Sequence, residues 1–252
     1  MRFASLGSGS RGNATLVEQG STLLLIDCGF SLRETERRLL RAGRDPAKVS
    51  AVLVTHEHGD HISGVDLFAR RYGAPVWLTA GTRTACSAEI AGSQVFNSHT
   101  PFTIGDLEIT PFPVPHDARE PTQFVFSNGA HQLGLLTDTG SLTPHIEQQL
   151  TACDALLLEC NHDRTMLANG IYPPVLKARV GGDFGHLSNM QAAALLQRID
   201  CSRLQHIVAA HLSDKNNMPQ LAAAALATAL DCSHDWIGIA RQDDGLEWRE
   251  LR

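Results

Sequence analysis

Ala51-Val52-Leu53-Val54 runs without a spacer into Thr55-His56-Glu57-His58-Gly59-Asp60-His61, and this junction decides how the chain is to be read. The four apolar residues suit a central strand buried on both faces. Directly after them, His56, His58, Asp60 and His61 place four ligand-type side chains within six residues. Neutral imidazole and carboxylate are the nitrogen and oxygen donors that zinc and manganese prefer, so the stretch predicts a metal site. A solvated histidine-rich loop would explain it in isolation. It would not explain why matching residues recur at the ends of other apolar runs.

Those recurrences extend in both directions. Leu23-Leu24-Leu25-Ile26 ends in Asp27, Ala155 to Leu158 ends in Glu159, and His206 to Ala210 ends in His211. Gln132 to Thr137 leads into Asp138, and two prolines in Pro113-Val114-Pro115 stiffen the approach to His116. Strands that end in polar groups predict one chemically loaded sheet edge, where open α/β architectures place their sites.

The remaining segments supply a frame. Phe3 to Leu6 reads as a first strand, and Gly7 to Asn13 as a hairpin turn or an anion-binding nest in which Arg11 contacts substrate. Thr15 to Glu18 and Thr22 to Asp27 read as paired strands. Ser31-x-x-Glu34 predicts a capping box on a helix that carries Leu32, Leu39 and Leu40 and stops near Gly43. Helices are predicted over His61 to Tyr72, Thr82 to Ala91 and Pro144 to Leu150, with a strand over Pro75 to Thr79. Strands near Thr103 to Ile104 and Glu108 to Phe112 come next, then a hairpin turning at Asn128-Gly129. Ser188-x-x-Gln191 predicts a second capping box just after His186. A last helix runs from Asn217 and Pro219 to Leu230, and Trp236 to Ile239 and Leu246 to Arg249 close the chain as strands. Arg164 to Asp183, with Lys177 and Arg179, reads as a solvated surface loop or as a contact for a long nucleic-acid backbone.

Composition sets bounds on these readings. With 252 residues, 43% hydrophobic and 19% charged, the chain can bury a large core and contains no low-complexity segment. No apolar run is long enough to span a bilayer, and the first residues do not resemble a secretory signal. The six cysteines are scattered without a Cys-x-x-Cys pair, which predicts reduced, buried thiols and a cytoplasmic location. A net charge of −6 argues against bulk coating of nucleic acid, although divalent metal ions would reverse the local sign at a site.

His56-x-His58-x-Asp60-His61 resembles the signature of the metallo-β-lactamase superfamily, and Asp27, His116, Asp138 and His211 stand in order at its other motif positions. The resemblance implies an α/β chain folded as a four-layer αββα sandwich, a single domain over 1–252. It also implies two divalent metal ions per chain, zinc, manganese or iron. His56, His58 and His116 would hold one ion and Asp60, His61 and His211 the other; Asp138 would bridge them, with Asp27 supporting the ligands from behind. A hydroxide between the ions would be the nucleophile. Glu159 and His186 resemble the glutamate-histidine pair of the ribonuclease Z branch, whose histidine serves the leaving oxygen, so Asp60, Glu159 and His186 are expected to carry the chemistry.

Gly7-Ser8-Gly9-Ser10, Gly185-His186-Leu187-Ser188-Asn189 and His211 to Asn217 together resemble the WalJ-type bacterial exonucleases, which act on double-stranded DNA. That likeness implies 5′-to-3′ exonuclease activity on DNA. It also points to Ser8, Ser10, Lys177, Arg179 and Asn216 as substrate contacts. Arg11 departs from the small residue usual in that loop. The interval from Asp138 to His211 is too short for the inserted domain of RNA-processing relatives. Two other readings stay open, a hydrolase of small or cyclic phosphodiesters and a non-catalytic metal-binding protein. Among the unassigned histidines only His162, beside Glu159, is close enough in sequence to matter.

Overall fold

In the computed structural model, which describes residues 1–86, 90 and 92–252, the chain builds two sheets of seven strands with helices on both outer faces. The first half contains β1 (Arg2–Gly7), β2 (Ala14–Gln19), β3 (Thr22–Ile26), α1 (Leu32–Arg41) and β4 (Ala51–Leu53). It continues with α2 (Gly59–Ile62), α3 (Val65–Tyr72), β5 (Val76–Thr79), α4 (Ala80–Ala85) and β6 (Ser93–Phe96). The second half begins with β7 (Phe102–Ile104), β8 (Leu107–Pro113), β9 (Thr122–Ser127), β10 (Gln132–Leu136), α5 (Pro144–Leu150) and β11 (Ala155–Glu159). Then come α6 (Arg164–Asn169), α7 (Pro174–Val180), α8 (Asn189–Leu196), β12 (His206–Ala210), α9 (Pro219–Leu230), β13 (Ile237–Ile239) and β14 (Leu246–Glu250).

The sheet orders are β14-β1-β2-β3-β4-β5-β6 and β13-β12-β11-β10-β9-β8-β7. The chain's last strand thus returns to the edge of the first sheet. In each sheet the helix-connected strands are parallel, β3 to β6 in one and β10 to β13 in the other, and the hairpin-connected strands are antiparallel. Alternation along the strands sorts side chains between layers. Leu24 and Ile26 of β3 and Leu157 of β11 meet Phe3, Phe124 and Phe126 between the sheets. Their neighbours Leu23 and Leu25 face Leu39, Val65 and Phe68 below, while Leu156 and Leu158 face Leu195 and Leu226 above. This is the expected four-layer αββα sandwich. Among the described residues no helix is long and apolar enough to cross a membrane.

Several local expectations are corrected. The helix predicted over His61 to Tyr72 is two helices, broken at Ser63-Gly64. There the Gly64 amide donates to the Cys28 carbonyl at 2.8 Å, and a Cβ on Gly64 would collide with the Phe30 carbonyl. The Ser31 box is half formed: Ser31 Oγ accepts from the Glu34 amide, but the Glu34 carboxylate is taken by Arg37 and Arg38. The Ser188 box is complete. Arg164 to Asp183 is not a loop but two short helices, the first capped by the Asp163 side chain on the Met166 amide. β6 is an additional strand that the sequence pattern does not predict. The helix predicted to Ala91 ends at Ala85, and positions 87–89 and 91 lie outside the described residues.

Backbone bonds fasten the ligand-bearing turn around α2 to the exit of β3. Cys28 N donates to the His61 carbonyl and Asn13 N to the Asp60 carbonyl, both at 2.8 Å. Gly29 sits against that same Asp60 carbonyl, where any Cβ would collide with it. Gly29→Ala should therefore displace the turn and cost about 1–3 kcal/mol as overpacking. The urea midpoint should fall at constant m value, and bound metal should fall with it; an unchanged midpoint would show that the turn is not held there.

Candidate metal centre

The site lies where the parallel strands end. Asp27 follows β3, the cluster from His56 follows β4, Asp138 follows β10, Glu159 ends β11 and His211 follows β12. Asp27, Asp138 and His211 each adopt left-handed backbone geometry, with φ of 60°, 53° and 55°. Such conformations are uncommon outside glycine and cost of order 1–2 kcal/mol apiece. Each one turns the chain sharply as it leaves its strand, Asp27 from the first sheet and Asp138 and His211 from the second.

The imidazoles are oriented from behind. Thr55 Oγ1 donates to Asp27 and lies 3.0 Å from His56 Nδ1, whose proton it accepts. His61 Nδ1 is 2.8 Å from Asp27 Oδ2, and His116 Nδ1 is 3.0 Å from the Gly185 carbonyl. His58 Nε2 lies 3.3 Å from the Asp117 carbonyl, and His211 Nδ1 is 3.1 Å from Glu159 Oε1. Each ring thus gives one nitrogen to an acceptor and turns the other inward, the arrangement that fixes the tautomer of a metal-ligating histidine.

The inward atoms converge. Donor atoms of His56, His58 and His116 lie within 4.8 Å of one another, as do those of Asp60, His61 and His211 and those of His56, His61 and Asp138. His56 Nε2, His211 Nε2 and Asp138 Oδ2 are buried without a hydrogen-bond partner, and Asp138 Oδ2, though 3.3 Å from His61 Nε2, is not aligned to accept from it. Orphaned polar atoms at this depth are costly unless something else pairs with them. The carboxylates among these rings stay ionised despite their depth. Burial opposes ionisation of Asp138, but His211 and His61 outweigh it and hold the carboxyl well below its usual range. Burial likewise opposes ionisation of Asp60, and the adjacent His211 and His61 rings overcome it. Burial and the neighbouring His61 push His56 well below its ordinary value and so keep it a neutral donor. Converging nitrogen and oxygen donors, several of them buried without a partner, fit divalent cations.

Glu159 lies on the second wall, fully buried. Its Oε1 accepts from His186 Nδ1 at 2.8 Å and from His211 Nδ1 at 3.1 Å, and its Oε2 accepts from the amides of Thr139 and Leu187. Burial works against its charge, yet His186 brings the carboxyl down to about 2. Burial also opposes charging of His186, and Glu159 raises it above its ordinary value. The two are an ion pair in which Glu159 is buried and His186 lines the cleft.

The expected substrate contacts divide. Ser10 and Arg179 line a cleft of about 360 Å³ together with His58, Asp60, Asp138 and His186. Ser8 is buried instead, and its Oγ accepts from the His211 amide at 2.8 Å. Asn216 is also buried, with its Nδ2 donating to Ser213 Oγ and its Oδ1 without a partner. Lys177 Nζ donates to the Ala168 carbonyl, and Arg179 pairs with Asp117. The Gly7 to Asn13 loop is the β1–β2 hairpin connection. Its Gly9 amide turns inward to Asn13, and Arg11 pairs with Asp214 and Asp243. Asn13, unremarkable in the sequence, has its Nδ2 near both Asp60 and His61; only its place in a glycine-rich loop hints at a role. His162 is buried, its Nδ1 lacks a partner, and burial pushes it down to about 4.

Residues 22–211 match the family described as Beta-lactamase superfamily domain. Exodeoxyribonuclease YycJ of Bacillus anthracis is 36% identical over 236 residues, covering 92% of this chain and 89% of its own. Exodeoxyribonuclease WalJ of Streptococcus pneumoniae is 34% identical over 245 residues, covering 94% and 91%. Among solved structures, the metallo-β-lactamase fold protein YhfI of Bacillus subtilis superposes with a TM-score of 0.75 at 18% identity over 99% of both chains. The short form of human tRNase Z superposes with 0.68 at 15% identity over the full length of both, and these two likenesses concern the fold alone. Strand ends loaded with inward-facing imidazoles and carboxylates, a four-layer sandwich and near full-length similarity agree: the chain belongs to the metallo-β-lactamase superfamily, in the group of the exodeoxyribonucleases YycJ and WalJ.

Proposed function

We propose that the chain is a metal-dependent exodeoxyribonuclease of the cytoplasm that cleaves DNA phosphodiester bonds in the 5′-to-3′ direction. The observation that carries this reading is the Glu159–His186 ion pair, which lies on the wall of the same cleft as the histidine and aspartate cluster. An alkoxide leaving from phosphorus needs a proton, and a charged imidazole at that position is suited to give one. The names of two relatives, similar over most of their length, support DNA as the substrate.

His56, His58, His116, Asp60, His61, Asp138 and His211 would hold two divalent ions, zinc or manganese. Bound there, such ions would supply an activated water and offset the charge on the phosphoryl oxygens. The chain's own residues do the rest. Water oxygen adds to phosphorus and releases a proton to the surrounding solvent, the bond from phosphorus to the 3′ oxygen breaks, and that oxygen takes a proton from His186 Nε2, which solvent then restores. Glu159 does not receive the proton. Its four hydrogen bonds fix it as the carboxylate that orients His186 and holds it charged.

Two measurements test the proposal. Purified protein should contain close to two transition-metal ions per chain by elemental analysis, and Asp138→Ala should lose more metal than Asp60→Ala. Chelation should lower the thermal midpoint, because ions that bind only the folded state stabilise it, by about 2.7 kcal/mol at a hundredfold excess over Kd. A wild type that stays metal-free and equally stable in zinc or manganese would overturn the assignment.

His186→Ala should retain its metal but lose roughly 10²–10⁴-fold in rate on DNA, as removal of a general acid does. Glu159→Gln should add little to it, and a nitrophenyl phosphodiester, whose leaving group needs no proton, should recover most of the loss. Equal slowing of activated and natural substrates would make His186 a structural cap.

A further inference from the structure

One wall of the cleft is not built for phosphate. Opposite the ligand cluster, Tyr172, Leu176 and Val180 line the space, four residues apart, with Leu176 and Val180 on α7 and Tyr172 just before it. Leu176 and Val180, four apart on α7, share a helix face, and Tyr172 lines the same cleft beside them, so the three form one apolar stripe. No residue of α7 is buried, so the stripe does not serve the core. Phe184 stands at the rim with 63% of its surface exposed, and its carbonyl accepts from the amide of Asp117, which also lines the cleft. Contacts to a phosphate backbone call for cations and amides and leave this stripe unexplained.

Resting on the exonuclease reading, we infer that the stripe of Tyr172, Leu176 and Val180 is a subsite for the nucleobase of the nucleotide being released, which enters the cleft unpaired. The His186 amide donates to the Val180 carbonyl at 2.8 Å, so the stripe is fastened to the residue that protonates the leaving 3′ oxygen. The base carried by that leaving sugar is therefore the one nearest the stripe. Size argues for a single base: about 360 Å³ is at the small end of ligand clefts, roughly 300–1,000 Å³, and offers room for one nucleotide but not for a base pair with both sugars. Stacking on an aromatic ring is tolerant of sequence, because every base has a π face. The terminal pair of a duplex must accordingly open before its phosphodiester reaches the cluster.

The test uses full-length protein loaded with manganese and 5′-phosphorylated DNA whose terminal nucleotide is either intact or a tetrahydrofuran abasic residue. Wild type should cleave the intact end faster in kcat/KM, by roughly 5- to 150-fold, the range of base–aromatic stacking. In Tyr172→Ala that ratio should collapse towards one, and Tyr172→Phe should restore it. Melting curves of both variants report whether each has folded, and Leu176→Ser provides an independent second site. If wild type does not distinguish the two ends, or if Tyr172→Ala and Leu176→Ser both keep the full ratio, the subsite is overturned while the exonuclease reading stands. No cleavage of either DNA alongside turnover of a nitrophenyl phosphodiester would overturn the exonuclease reading itself, and the subsite with it.

Discussion

The buried carboxylate of Asp27 is the constraint on which the rest of the centre depends. It accepts from the Thr55 amide, the Thr55 hydroxyl and His61 Nδ1, so one side chain at the end of β3 fixes the start of the turn after β4. A buried charge is tolerated only when its lone pairs are satisfied. Satisfying them here leaves little freedom to the neighbouring rings. Thr55 passes the constraint to His56, and His61 passes it to the atoms it faces. Glu159 plays the corresponding part on the second sheet, where it fixes His211 and His186 together. Neither carboxylate needs to touch a substrate to determine what the centre can do.

Much of this arrangement is legible in the amino-acid sequence alone. Apolar runs ending in Asp27, His56, Asp138, Glu159 and His211 reveal the loaded edge, because buried parallel strands are continuous in sequence and donor chemistry admits few residue types. The four-layer sandwich is legible only through the resemblance to the metallo-β-lactamase superfamily that those motif residues carry. What stays illegible depends on contacts distant in sequence. Nothing local says that a side chain at Gly64 would strike the Phe30 carbonyl and break a helix there, or that Arg37 and Arg38 would take Glu34 from its cap. Ser8 and Asn216 look like substrate contacts in polar loops, yet both are buried, Ser8 Oγ accepting from the His211 amide and Asn216 Nδ2 donating to Ser213. Asn13 gives the opposite lesson, a plain loop residue that folding brings beside Asp60 and His61.

The excursion between Glu159 and His186 differs from the rest of the molecule. Ile171, Val175 and Phe184 are largely exposed, and α7 is tied down by the Lys177–Ala168 and His186–Val180 hydrogen bonds and by the Arg179–Asp117 pair. A segment with few buried contacts can change its sequence at little cost to the core. Specificity can thus vary there without disturbing the carboxylates that hold the rings.

The three mixed sets of converging donor atoms share another property. His56, His58, Asp60 and His61 follow a strand of the first sheet, whereas His116, Asp138 and His211 follow strands of the second, and each set draws on both. Ions held there would join the two halves of the sandwich across their open edge, as a cross-link does. Prying the sheets apart would first require letting the ions go, so the lifetime of the loaded protein against proteases would be governed by metal release rather than by the strength of its apolar layers.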